Sequence, residues 1–181
     1  MLQHDLEKLA RRTLIIRCQL GDECAFERLV RTYHARLRYF VRQLVASPDT
    51  ADDVLQEVWV AVFRKIASLR EADAFVTWLY RIARHKAYHA IRRPQHVHLA
   101  EDQNVPGPED NEPCEFVQLN DALGLLQPEH REVLILRYFE EMHYSAIAEA
   151  LACPVGTVRS RLHVAKMRLR ERIERTRHHE E

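Results

Sequence analysis

Three sets of side chains in this sequence have the types and spacing to do chemistry, and the chemistry is binding rather than catalysis. Arg159, Ser160, His163, Lys166 and Arg170 are spaced to share one face of a helix. Cations mixed with short hydrogen-bonding groups suit a polyanion whose base edges are read as well as its phosphates. Arg81, Arg84, His85, Tyr88 and Arg92 form a second such face, in which bases alternate with rings. Guanidinium groups meet phosphates, and rings stack on unpaired bases, so this pattern suits a single strand. Asp53, Gln56, Glu57, Val60 and Arg64 form a third face, polar except for the valine. A solvated helix face seldom needs that valine, whereas a helix docking on another protein would use it. No nucleophile, base and orienting group come together in the sequence, so the chain is not expected to be an enzyme. His85 and His89 stand four apart and His96 and His98 two apart, but no third ligand has metal spacing, and neither metal nor cofactor is expected. The plainer reading of each basic face is a solvated helix surface.

These faces sit in a chain of zero formal charge, with 27 Lys and Arg against 27 Asp and Glu. The balance hides segregation. Residues 64–93 hold eight bases against two acids; residues 94–116 hold six acids and no Lys or Arg; residues 159–175 hold seven bases against two acids. Two basic blocks about an acidic spacer predict two contacts with a polyanion. The spacer also carries four of the seven prolines and few large apolar residues, too few to offset the entropy of ordering it. It is therefore expected to be a flexible linker open to proteases, or else docked with its acids against a basic block as an internal inhibitor. Four glycines in 181 residues argue against an all-β chain or a glycine-rich phosphate loop. No run approaches the ~20 apolar residues of a membrane helix, and the start has no signal-peptide core. Cys18, Cys24, Cys114 and Cys153 make no CxxC pair. The expectation is a soluble, reduced, cytoplasmic protein.

The fold class expected is all-α: two small helical domains joined by a flexible acidic linker, the second a helix-turn-helix. The boundaries are 1–93, 94–116 and 117–181. A first helix over Leu6–Leu20 ends near Gly21, and Asp22 can cap a second, with Phe26, Leu29, Val30, Tyr33, Leu37, Phe40, Val41 and Leu44 inward. Ser47-Pro48-Asp49 breaks the chain. A helix over Thr50–Ile66 then turns Val54, Leu55, Val58, Trp59, Val62, Phe63 and Ile66 to one side. A fourth helix, from about Ala74 to Arg92, has Phe75, Leu79, Ile82, Ala83 and Ala90 as its core, and Trp78 reads as a core or rim aromatic. In the C-terminal domain Pro128 opens a helix over Glu129–Phe139 that buries Val133, Leu134, Leu136 and Tyr138. A small-residue helix, Tyr144–Leu151, is followed by a tight turn. Cys153 is the expected cap and Pro154 the first residue of a long helix reaching about Arg175, with Val158, Leu162, Ala165 and Leu169 buried. A short helix, a turn and a second helix with a polar face is the geometry that places side chains in a major groove.

Three segments, in order, resemble bacterial RNA polymerase sigma factors of the sigma-70 family, in the extracytoplasmic-function (ECF) branch that has only regions 2 and 4. Asp52-Asp53-Val54-Leu55-Gln56-Glu57-Val58-Trp59 is similar to the helix that binds core polymerase. Phe75-Val76-Thr77-Trp78-Leu79-Tyr80-Arg81-Ile82-Ala83-Arg84 is similar to the segment that melts and reads the −10 element. Cys153-Pro154-Val155-Gly156-Thr157-Val158-Arg159-Ser160-Arg161 is similar to the −35-reading helix. The resemblance covers about 14 to 175. It implies that Asp53, Gln56, Glu57 and Val60 face the clamp helices of the polymerase β′ subunit. It implies −10 DNA contacts from Phe75, Trp78, Tyr80, Arg81, Arg84, His85, Tyr88, His89 and Arg92. It implies −35 contacts from Thr157, Arg159, Ser160, Arg161, His163, Lys166 and Arg170. The implied partners are core RNA polymerase, promoter DNA and a separate anti-sigma factor, which could hold the protein at the membrane; no membrane insertion and no cofactor are implied. The chain departs from the family pattern at His85 and His89, where Asn or Asp is frequent, at Val164, where some relatives carry a base, and at His143. A Ser or Thr usually caps the helix at that last position, and losing the cap weakens a helix start by up to ~1 kcal/mol. The alternative reading is a dimeric helix-turn-helix regulator, which would leave the Asp53/Gln56/Glu57 face and the first basic block without a task.

Overall fold

The computed structural model describes residues 2–92 and 114–177, and every regular element among them is helical. Helix α1 (Leu2–Gln19) ends where Gly21 takes a left-handed φ of +84°. There the Gly21 and Asp22 amides turn back onto the carbonyls of Cys18 and Arg17, closing the helix end. Asp22 then caps α2 (Glu23–Arg42): its Oδ1 accepts from the Ala25 amide at 2.9 Å, and Oδ2 pairs with the Arg17 guanidinium at 2.6 Å. The Ala25 amide bond, and then Arg17, hold its carboxyl below the usual range. Ser47-Pro48 does more than interrupt the chain. Ser47 Oγ accepts from the Thr50 amide at 3.1 Å and Pro48 is the first residue of α3 (Pro48–Lys65), where its missing N–H costs nothing. Two 3₁₀ turns, Ile66–Ser68 and Ala72–Ala74, lead into α4 (Phe75–Arg92). Gln19 pins the first turn to α1 by donating to the Ile66 and Leu69 carbonyls at 3.2 and 2.7 Å.

The first bundle closes on side chains with no exposed surface, among them Ile15, Leu29, Leu37, Phe40, Val58, Val62, Phe75 and Leu79. They come from positions three and four apart on each helix, as the periodicity predicts. Phe63 is the exception to the predicted apolar side of α3: it is 60% exposed, and Trp59 is only half-buried. The side of α3 that faces the bundle is narrower than the run of apolar residues, so its outermost members stay at the edge.

The second unit comprises α5 (Cys114–Gly124), α6 (Pro128–Leu134), α7 (Tyr144–Leu151) and α8 (Val155–Arg177). The expected linker, 94–116, lies outside the described residues apart from its last three, which already belong to α5. Helix α6 does not continue regularly to Phe139. Its last turn, Ile135–Phe139, is a π-turn, in which one extra residue per turn rotates everything after Leu134. That rotation carries Tyr138, expected inside, to 57% exposure, whereas Val133, Leu134 and Leu136 are buried as predicted. Between α7 and α8, Ala152 takes a left-handed conformation (φ 50°, ψ 48°) and the Cys153 amide donates to the Ala148 carbonyl at 3.0 Å. Helix α8 begins one residue later than expected: the Pro154 carbonyl accepts from the Thr157 and Val158 amides, so Pro154 stands before the helix. Val158, Leu162 and Ala165 are buried against α6 and α7. The second unit lies against the first, with α7 across α4, and their buried side chains form one continuous apolar cluster.

Candidate protein and nucleic-acid interfaces

Helix α3 presents Asp53, Gln56 and Val60 to solvent, with Val60 44% exposed. Glu57 is less free: its Oε2 accepts from Lys86 Nζ of α4 at 2.8 Å, with both side chains partly exposed. Phe63 continues the row one turn beyond Val60. Its ring meets Phe26 edge-on at 5.1 Å, and Trp59 meets the same ring edge-on at 6.3 Å. Trp59 Nε1 donates to His34 Nδ1 at 3.3 Å, which fixes the indole at the edge of this patch. Sequence reasoning missed Phe63 because it counted the residue as core. The signal was its place three residues after Val60 and seven after Gln56.

Helix α4 carries two kinds of predicted contact. Arg81, His85, His89 and Arg92 are exposed, and the rings of His85 and His89 stack at 6.5 Å. Arg84 and Tyr88 are half-buried, the guanidinium lying over the phenol ring at 4.7 Å. Phe75 and Tyr80, however, present no surface: they are 0% and 1% exposed. Phase explains both. Phe75 and Tyr80 share the inward side with Leu79 and Ala83, Phe75 edge-on to Tyr33 at 5.5 Å and Tyr80 edge-on to Phe40 at 5.1 Å. In this structure both belong to the framework of the bundle and present nothing to a strand. Trp78 is half-buried beside Phe75, as a rim aromatic would be. Burial, and then the nearby Glu140, push the Tyr80 phenol far above its ordinary value.

Helix α8 keeps Arg159, Ser160, His163, Lys166 and Arg170 in one exposed stripe opposite its buried one. Thr157 and Arg161 are half-buried at its margins; Ser160 Oγ donates to the Thr157 carbonyl at 3.0 Å. The helix before the turn, α7, has His143 as its N-cap, which makes no side-chain capping bond. The arrangement is a scaffold helix (α7) and a presenting helix (α8) set by a tight αL turn, able to offer a polar, cationic face to a groove. Among the described residues no three metal-ligating side chains converge, and no helix is long and apolar enough to cross a membrane.

Comparison with known proteins bears on both units. Residues 29–97 match the family model for Sigma-70 region 2, and residues 116–169 match that for Sigma-70, region 4. The chain is 33% identical to the ECF RNA polymerase sigma-E factor of Haemophilus influenzae, over 93% of this chain and 97% of that one. It is 34% identical to the RNA polymerase sigma-H factor of Pseudomonas aeruginosa, over 90% and 91%. Among solved structures it is similar to CnrH in complex with the cytosolic domain of CnrY, at 25% identity and a TM-score of 0.68, covering 91% of this chain and 97% of that one. A sigma factor RpoE bound to the anti-sigma factor NepR, from Bartonella quintana, shares the fold at 24% identity and a TM-score of 0.70, over 82% and 96%.

Proposed function

The chain belongs to the ECF branch of the sigma-70 family, and from that membership and the geometry above we propose how it works as a promoter-specificity subunit of transcription initiation. Core RNA polymerase docks on α3, where Asp53, Gln56 and Glu57 flank Val60 and meet the β′ clamp helices. The exposed bases of α4, with Arg84 and Tyr88, hold the melted −10 strand. Helix α8 reads the −35 duplex through Arg159, Ser160 and His163, with Lys166 and Arg170 on phosphates. The observation that carries the reading is the exposed stripe of α8, set opposite a fully buried one in a helix-turn-helix. A −35 contact of this kind is duplex readout; the −10 contact couples strand separation to capture of unpaired bases. The reading asks for no catalysis and no cofactor from this chain. It places the protein in the cytoplasm, in two functional parts, 1–93 and 117–181, with 94–116 between them. Because the neighbouring structures are complexes, one of them of a sigma factor with an anti-sigma factor by name, a separate anti-sigma partner is part of the proposal.

The experiment is reconstitution. Purified chain and core polymerase are given fragmented genomic DNA, and transcript starts are mapped. The reading expects starts to share paired elements near −35 and −10 that depend on adding the chain. Starts without shared elements, or tight binding to a palindrome without polymerase, would favour the dimeric regulator instead.

A further inference from the structure

Helix α1 is apolar on two opposite sides, and the fold uses only one of them. Leu14, Ile15 and Cys18 pack into the bundle, the last two fully buried. On the far side Leu6, Leu9, Ile16 and Leu20 are between 48% and 81% exposed. With Thr13 they stand three, four, three and four residues apart, the spacing that keeps a single seam along a helix. Thr13 does not interrupt that seam. Its Oγ1 donates to the Leu9 carbonyl at 3.0 Å, so the hydroxyl is satisfied within its own helix and asks for no other partner. From Asp5 to Ala10 every residue of α1 is exposed, so the first half of the helix stands clear of the core. Beside the second half a cleft of about 270 Å³ opens between Arg12, Ile16 and Gln19 and the loop 70–73.

The rim of the seam decides what fits it. Lys8 and Arg12 share Asp73 at 3.4 and 3.8 Å, and Arg17 is paired with Asp22 at 2.6 Å. The cations along both edges are thus neutralised by their own chain, and the face offers no single sign of charge to an oppositely charged partner. A face that is apolar along its middle and neutral along its edges is complementary to itself. Its spacing is symmetric as well: Leu6, Leu9, Thr13 and Ile16 read three, four, three in either direction about residue 11. Two such helices laid antiparallel set Leu6 against Ile16 of the second copy and Leu9 against Thr13 of the second copy, and the reverse, which is the pairing a two-fold axis requires. The small Ala10 then stands near the axis, where the two backbones approach. The exposed first half of each helix meets the cleft beside the second half of the other.

We infer that the outward side of α1 is a self-association surface: two copies of this chain pair antiparallel through Leu6, Leu9, Thr13, Ile16 and Leu20, with Leu6 of each seated at the Ile16 cleft of the other. The seam shares no residue with the faces of α3, α4 and α8, so the inference stands apart from the proposed function. From Leu6 to Leu20 the seam is only about 21 Å long at 1.5 Å per residue. A contact of that length belongs with the small, transient interfaces, so the dimer is weak and forms as concentration rises.

The test is sedimentation equilibrium of the full chain from about 1 to about 500 µM, a range that brackets weak association. The mean mass should rise from 21.4 kDa toward twice that value. Leu9→Asp enters the pairing twice and should weaken it at least tenfold, with circular dichroism and the melting curve unchanged. If that variant loses helix, Leu6→Asp, farther from the core, decides. Salt at about 0.5 M should leave the wild-type dimer intact, because the seam is apolar and its rim already neutral. Orientation is read by cross-linking. In a Cys24→Ser background, which removes the exposed Cys24 thiol, a short bismaleimide should couple Ala10→Cys between copies and fail with Leu20→Cys, whose two positions lie at opposite ends of an antiparallel pair. A wild type that stays monomeric throughout would overturn the inference, including one that instead binds vesicles of phosphatidylcholine and phosphatidylglycerol. So would association that Leu9→Asp and Leu6→Asp leave unchanged, or coupling through Leu20→Cys but not Ala10→Cys.

Discussion

Replacing Gln56 and Glu57 together by Ala separates a docking face from a structural one. Gln56 is exposed, and no described side-chain hydrogen bond or ion pair of the fold runs through it. Glu57 is tied to Lys86 at 2.8 Å, the two side chains being 43% and 31% exposed. A pair that wet contributes roughly 0.2–1 kcal/mol. Alanine, the best helix former, returns a few tenths of a kcal/mol at each position. The net loss should stay below about 1 kcal/mol, a fall in melting temperature of no more than about 5 °C for a unit of this size. Polymerase binding should suffer more. Truncating residues near the centre of an interface costs roughly 1–2 kcal/mol each, so affinity should fall about tenfold or more. Lys86→Ala removes the same ion pair but leaves the carboxylate in place, so it should match the stability loss and spare the affinity. The assay is titration of labelled protein with core polymerase, beside thermal melts of all three proteins. Unchanged binding by the double variant would refute the face assignment. Equal weakening by Lys86→Ala would show that Glu57 acts by holding α4 to α3 and not by touching polymerase.

Other perturbations test the remaining faces. Arg159→Ala should cost ~1–3 kcal/mol and flatten discrimination among single-base −35 variants, whereas Arg170→Ala should weaken all of them alike and lower the salt slope by about one; binding across those variants at two salt concentrations distinguishes the two, and a uniform loss for Arg159→Ala would make it a phosphate anchor. Phe75→Ala should cost roughly 3–5 kcal/mol of stability, because the ring is wholly buried, and a thermal melt that hardly moves would return Phe75 to the list of contacts. Burial holds Glu132 and Glu140 above the ordinary carboxylate value of 4.5, against the opposing pull of Arg84, Tyr88 and Arg161 around Glu132, and of Tyr80 and Arg36 around Glu140. Carboxylates raised by burial favour the packed arrangement fully below that ordinary value and progressively less as pH rises through the raised one, so the two units should loosen and the radius of gyration grow as pH rises from about 4.5; a radius that shrinks would refute the assignment.

What the sequence made legible is what short-range physics controls. Gly21 followed by Asp22, and Ser47 followed by Pro48, mark helix ends because the groups that close them lie within five residues. The buried stripe Val158, Leu162, Ala165 follows from period alone, and so does the exposed stripe opposite it. Tyr138 was misplaced because one π-turn after Leu134 shifts the phase, and a pattern of apolar residues does not record an inserted residue of turn. Phe63 was misplaced because periodicity tells which side of a helix is apolar but not how wide its neighbour is. Phe75 and Tyr80 were placed among the contacts because they fall inside a motif; a motif gives order along the chain, and burial then divides its members into framework and surface.

The charge pattern was legible in outline but its partner was not. Two basic blocks point to a polyanion, and the acids between them suggested a linker lying back on one block. That linker is outside the described residues, yet carboxylates do meet the first block, from another direction. Glu132 sits in the run Glu129-His130-Arg131-Glu132-Val133-Leu134, where nothing local distinguishes it from a solvated helix residue. Only the approach of α4, some fifty residues earlier in the chain, buries it and gives it Arg84. A side chain's charge can be read from sequence, but whether that charge meets water, DNA or the chain's own opposite charge is decided by tertiary contact.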